Sequence, residues 1–211
     1  KVGLSEAFTL DATLIPDFGQ VQSDDQVLNL SPYEVRYNER RQFFTEGTDV
    51  FNKGGIFYSR RVGSAPSGYY NVYGQLEEGE EVISNPAETR LINATKISGR
   101  TENGLGIGFF NGITAEAKAE IIDTETNSVR RIITQPLSNY NMMVVDQNLG
   151  GGSYISLANT NVMPKGPATG GNYTANVTAM DMRYLSGDRT YSLNAVAALS
   201  QKYYSDQDDI F

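Results

Sequence analysis

Residues 8–14 read F-T-L-D-A-T-L, with Phe8, Leu10, Ala12 and Leu14 in one phase and Thr9, Asp11 and Thr13 in the other. A period of two belongs to a β-strand with one apolar and one polar face, and no amphipathic helix can use it. The pattern returns at Leu105, Ile107 and Phe109, opposed by Gly104, Gly106, Gly108 and Phe110. It returns again at Ala115, Ala117, Ala119 and Ile121, opposed by Glu116, Lys118 and Glu120. Here the alternation outweighs the helix propensity of the Ala, Glu and Lys residues, so a strand is expected. Near the end, Tyr173, Ala175, Val177 and Ala179 alternate with Thr174, Asn176 and Thr178, and Tyr191, Leu193, Ala195, Ala197 and Leu199 follow the same rule. Leu185–Arg189 between them carries the Gly and Asp of a hairpin turn, which predicts an antiparallel pair.

Strands of about ten or more residues exceed the five or six usual in soluble sheets. Tyr and Phe recur at their ends, at Phe8, Tyr140, Tyr154, Tyr173, Tyr184, Tyr191, Tyr203 and Tyr204, as in the aromatic girdle of a membrane barrel. The phases rich in Asn, Thr, Ser and Gly suit a wet or plugged lumen. These features predict an all-β, antiparallel outer-membrane β-barrel, or the N-terminal portion of a larger one, as a single domain over residues 1–211. Phe8, Leu10, Leu105, Ile107, Phe109, Tyr173, Val177, Tyr191 and Leu193 are expected to face lipid. A soluble β-sandwich binding module is the alternative that periodicity leaves open. The opening Lys-Val-Gly-Leu-Ser-Glu lies within an alternating pattern and reads as the start of a fragment or mature segment.

Composition narrows the chemistry. The chain of 211 residues has a formal net charge of −8, which disfavours nucleic acid as a partner. It has no cysteine, so disulfides, zinc–thiolate sites and cysteine nucleophiles are absent from it. It has no histidine, which removes the usual base of a Ser-His-Asp triad and the commonest transition-metal ligand. No cofactor and no metal site is expected. Gly104-Leu105-Gly106-Ile107-Gly108 lacks the spacing of a dinucleotide loop, and its glycines suggest close packing on an inner face instead. Asp123–Asn127 has oxygen ligands at alternate positions without the glycine and closing glutamate of a calcium loop, so a hairpin tip is expected. Leu76–Glu81, Pro164–Gly171 and the acids at Asp206, Asp208 and Asp209 read as solvated loops.

The densest chemistry lies in Y-N-E-R-R-Q-F-F-T-E-G-T-D-V-F-N-K-G-G-I-F-Y-S-R-R-V-G, residues 37–63. Together with Leu10–Thr13, Pro16–Phe18 and Asn29–Ser31, the cores Glu39–Gly47 and Phe57–Arg61 resemble a motif of uncharacterised outer-membrane proteins of Bacteroidetes. In that family a barrel-like domain of unknown function follows a domain similar to family-nine carbohydrate-binding modules. Residues 98–115, 136–149 and 159–166 are also similar to family segments. Tyr37-Asn38 departs from the aromatic-proline pair of the pattern, and the chain is several-fold shorter than the family's proteins.

The resemblance implies a role in the bacterial outer membrane, in passage, docking or handling of a glycan or other surface ligand, with membrane lipid and other envelope proteins as partners. Glu39, Arg40, Arg41, Glu46, Arg60 and Arg61 are the candidate site, expected to face inward with Asp49 as a ligand-binding or lumen ion network. In the lumen, buried charges persist only when paired. The stretch from Asp24 to Asn52 is then a plug-like or strand-connecting element. An alternative keeps Glu39 and Glu46 as the carboxylate pair of a membrane-associated hydrolase. No residue is assigned a catalytic role.

Overall fold

The alternating stretches form antiparallel strands in the computed structural model, which describes residues 1–16, 36–166 and 173–204. Asp17 and Phe18, Asn29–Ser31, the Asp24 end of the expected inward element, residues 167–171 and the acids at Asp206, Asp208 and Asp209 lie outside the described residues. The main sheet contains β1 (Val2–Gly3), β2 (Phe8–Leu14), β4 (Leu91–Arg100), β5 (Leu105–Thr114), β8 (Leu137–Gly150), β9 (Ser153–Lys165), β10 (Tyr173–Leu185) and β11 (Ser192–Tyr204). These eight strands pair in that order, every one antiparallel to its neighbours. The sheet is open among the described residues, with β1 and β11 as its edges. A smaller sheet of β3 (Glu80–Ser84), β6 (Ala117–Asp123) and β7 (Val129–Gln135) pairs in the order β3-β6-β7.

The connections are unequal at the two ends of the main sheet. Residues 101–104, 151–152 and 186–191 make tight turns at one end. The opposite end carries the excursion between β2 and β4 and the β6–β7 hairpin between β5 and β8. The strand expected from Ala115 to Ile121 is real, but it belongs to the small sheet. There Ala119, Ile121 and Ile132 bury against Val72. At its tip the Asp123 carboxylate accepts hydrogen bonds from the backbone N–H groups of Glu125 and Thr126, which holds its pKa below the usual carboxylate range.

One cross-strand row shows which face is filled. Asp11, Lys96, Phe110, Met142, Thr160, Val177 and Ser200 are successive partners across β2, β4, β5, β8, β9, β10 and β11. Phe110 is 2% exposed and Met142 1%, so this row lies on the covered face. The cover is the chain itself. Residues 41–62, with one helical turn α1 (Gln42–Thr45) and 3₁₀ turns at Lys53–Gly55 and Ser59–Arg61, pack Phe44, Val50, Phe51 and Val62 on Leu91, Ala94, Phe110, Met142, Val144 and Ala158. Phe110 is ringed by Phe44 at 5.8 Å and Phe57 at 5.3 Å. The glycines of β5 make room for this cover: a Cβ on Gly108 stands 3.0 Å from the Phe51 ring.

The row also corrects two expectations. Val177 and Tyr173 face the covered side, and Thr174, Asn176 and Thr178 face the bare side, the reverse of the expected assignment for β10. The cause is close approach: a Cβ on Gly54 is 3.1 Å from that of Ala179, so the strand turns its small residues toward the cover. Tyr140, Tyr154, Tyr173 and Tyr204 share that covered side, so half of the expected aromatic girdle lies on the face opposite to the bare one. Phe8, Leu10, Leu105, Ile107, Phe109 and Leu193 lie on the bare face as expected, and Tyr191 sits in the turn before β11.

Phe110→Ala is expected to lower the stability of the fold by about 3–5 kcal/mol, the usual cost of emptying a buried aromatic site. Chemical denaturation followed by tyrosine fluorescence reads this as a lowered midpoint with unchanged slope.

Candidate functional site in the inward segment

Three groups of buried charges hold residues 36–62 on the wall. In the first, Glu39 receives nearly every donor around it. Its Oε1 accepts from the Arg41 Nε at 2.8 Å and from the backbone N–H groups of Arg40 at 3.1 Å and Arg41 at 3.0 Å. Its Oε2 accepts from the Arg41 Nη2 at 2.7 Å and the Ser59 hydroxyl at 2.6 Å. Arg41 spends its remaining donors on the Val62 and Ser59 carbonyls and lies over the Phe44 ring at 4.2 Å. Burial works against ionisation of Glu39, yet the bonds from Arg41 and Ser59 outweigh it and hold its pKa below the usual carboxylate range. The motif E-R-R is therefore a staple joining residues 39–41 to 59–62.

In the second group, Lys96 projects from β4 under α1, where it donates to the Phe43 and Glu46 carbonyls and stands 3.7 Å from Asp11. It satisfies the carbonyl end of a helical turn too short to cap itself. In the third, Asp146 of β8 is 1% exposed, paired with Arg100 of β4 and 3.4 Å from the Lys53 ammonium. Lys53 covers the Tyr154 ring at 3.6 Å, and the Tyr154 hydroxyl donates to Asp181 at 3.2 Å. The Gly54 N–H donates to the same carboxylate at 3.3 Å. This group clamps the Lys53-Gly54-Gly55 tip onto β8, β9 and β10.

The six residues singled out in the sequence do not form one network. Glu39 and Arg41 are partners, whereas Glu46 bonds to Gln42 at 2.8 Å and Lys1 at 3.0 Å. Bonds from Gln42 and Lys1 pull the Glu46 pKa below its usual value. Arg61 stacks over Tyr58 at 5.9 Å, Arg60 flanks it in the same 3₁₀ turn, and Arg40 and Asp49 are exposed. The residues missed by sequence reading are Lys53, Lys96, Arg100, Asp146 and Asp181. A signal existed for four of them: Lys96, Arg100, Asp146 and Asp181 are charges in the covered phase of alternating strands.

Between the segment and the wall lies a recess of about 360 Å³, lined by the rings of Tyr37, Phe43, Phe57, Tyr58 and Phe110, by the amides and hydroxyls of Asn38, Thr48, Asn52 and Ser59, and by the charged Glu39 and Lys96. Aromatic faces with a few amides and hydroxyls can take a flat apolar or ring-shaped ligand. Among the described residues no three acidic side chains converge as a cation site.

Glu39→Gln is expected to destabilise the fold by about 3 kcal/mol or more, because Arg41 is left buried without its charge partner. The pH dependence has a definite sign. A carboxyl whose folded pKa is lowered contributes stability above its unfolded value, near 4.5, and loses it as pH falls through the folded value. Denaturation midpoints between pH 7 and pH 3 should fall with acid in the parent protein and fall less in Glu39→Gln.

No curated protein and no solved structure matches the chain. Residues 1–210 match a family described as a domain of unknown function, DUF5916. The match spans the wall, the inward segment and the small sheet together, and the chain belongs to that family.

Proposed function

We propose that this chain forms part of the wall of a bacterial outer-membrane β-barrel, with residues 36–62 as a segment folded into the lumen, serving the passage or handling of a surface ligand such as a glycan. The observation that carries this reading is the inverted character of the two faces. The face covered by the chain's own segment holds the buried charges. The bare face carries Phe109, Met143, Leu157, Leu193 and Leu199 at 40% to 60% exposure. Soluble monomers rarely leave an apolar area of that extent open to water.

Two further features support it. Strands β8 to β11 are 13 or 14 residues long, enough for a tilted crossing of about 9–11 residues. Tight turns at one end and long connections at the other are the usual asymmetry of outer-membrane barrels. The aromatic recess is where a sugar ring or similar ligand would lodge, and the open edges are where further strands or other envelope proteins would join. The hydrolase alternative loses ground on chemistry. A carboxylate pair for acid–base work needs one raised pKa, and Glu39 and Glu46 are both lowered by their partners.

The full-length protein, expressed in its bacterial host, is expected to fractionate with the outer membrane, to require detergent, and to migrate differently on a gel before and after heating. A protein soluble in plain buffer, with no heat-dependent shift, would replace the barrel with a soluble sheet whose apolar face meets another protein.

A further inference from the structure

The bare face of the main sheet is divided by a row of amides. Asn111, Asn141, Asn161, Asn176 and Gln201 are successive cross-strand partners on β5, β8, β9, β10 and β11. They bond to one another rather than standing singly. The Asn111 amide donates to Asn141 at 2.7 Å and Asn141 donates to Asn161 at 3.0 Å. Beside them Asn159 donates to Asn176 at 3.0 Å, and Asn176 to Gln201 at 3.3 Å. All four of these bonds run from β5 toward β11.

We infer that this face meets the hydrocarbon of a lipid bilayer and that the amide row marks the level at which the hydrocarbon ends, on the side of the long connections. The inference rests on the barrel reading and adds to it a depth. On the tight-turn side of the row, past Asn159 and Thr178, which bond to each other at 2.7 Å, the bare face is apolar, with Phe109, Met143, Leu157, Met180, Leu193 and Leu199 exposed. Beyond the row stand Asn139, which accepts from Asn111 at 2.7 Å, the partly covered Ile113 and Met163, and then Lys165 and Tyr203. An amide in open water gains little from a neighbouring amide, because water serves both its donors and its acceptor. Where water thins out, each unpaired polar group costs several kcal/mol, and self-bonding becomes the condition for having amides there at all.

The dimensions agree. β11 presents Leu193, Ala195, Ala197 and Leu199 on this face before reaching Gln201. That path of eight residues covers about 27 Å along a strand. At the usual tilt of about 40° it rises about 21 Å, close to the apolar band of about 25 Å in outer-membrane barrels.

These 211 residues contain no cysteine, and any cysteine elsewhere in the full-length protein is first replaced by serine, so that each variant carries a single labelling site. The test places a fluorophore at Leu157→Cys or Ala197→Cys, below the row, and at Lys165→Cys or Tyr203→Cys, beyond it. All four leave the amides intact. The full-length protein is reconstituted in phosphatidylcholine vesicles carrying bromine at mid-chain. Strong quenching at 157 and 197, and several-fold weaker quenching at 165 and 203, is the expected result. Equal quenching at all four positions would put the amides inside the hydrocarbon and overturn the boundary while leaving the barrel in place. No quenching anywhere, in protein that has inserted and folded by the heat-shift assay, would mean that this face does not meet lipid, and both the boundary and the lipid-facing wall fail.

Discussion

Arg41 is the residue around which the inward segment is organised. A guanidinium has five donors in a rigid fork and no way to shed its charge, so burying one commits its surroundings to supply acceptors. Glu39, the Ser59 carbonyl and the Val62 carbonyl supply them, and they come from two stretches some twenty residues apart. Once those stretches are pinned together, the loop between them must double back, and Phe44, Phe51 and Phe57 come to lie on the same side. The wall is shaped to receive them by what it lacks. Gly108 and Gly112 have no side chain where Phe51 and Val62 approach. Hydrophobic burial supplies most of the stabilisation, while the charged staple decides which conformation of the segment has rings to bury.

The strands were legible because a period of two survives any tertiary context, and Phe8–Leu14 was read to the residue. The pairing of β10 with β11 followed from turn chemistry at Gly187 and Asp188. What alternation cannot say is which phase points inward, since the argument from polarity presumes a wet lumen. Here the covered side of β10 is Ala-rich because the Lys53-Gly54-Gly55 tip lies on it, and its Asn and Thr residues face the bare side. That tip is remote in sequence, so nothing local to β10 could have set the phase.

The site was legible in part for the same reason. Glu39 and Arg41 are two residues apart, and a charged pair so close is visible in any reading of the motif. Lys96, Asp146 and Asp181 gain the Phe43 and Glu46 carbonyls, the Lys53 ammonium and the Gly54 N–H only when β4, β8 and β10 meet the segment. Arg60 and Arg61 repeat the sequence pattern of Arg40-Arg41 but sit in a 3₁₀ turn whose geometry offers Arg61 the Tyr58 ring. Identical dipeptides thus take different roles, decided by whether acceptors surround them.

The two faces of the sheet solve one problem in two ways. On the covered face, charges sit where water is scarce, and each is matched by an opposite charge, a carbonyl or an aromatic face brought from elsewhere in the chain. On the bare face no such segment is present among the described residues, and the polar groups that bond to one another across the strands are chiefly amides. Neutral groups that both donate and accept can satisfy their like in a row, which charges cannot do. A charged row in the same place would repel itself and draw water to every member. Choosing amides lets five adjacent strands carry one polar line, and the bonds between neighbouring amides add to what holds the strands in register.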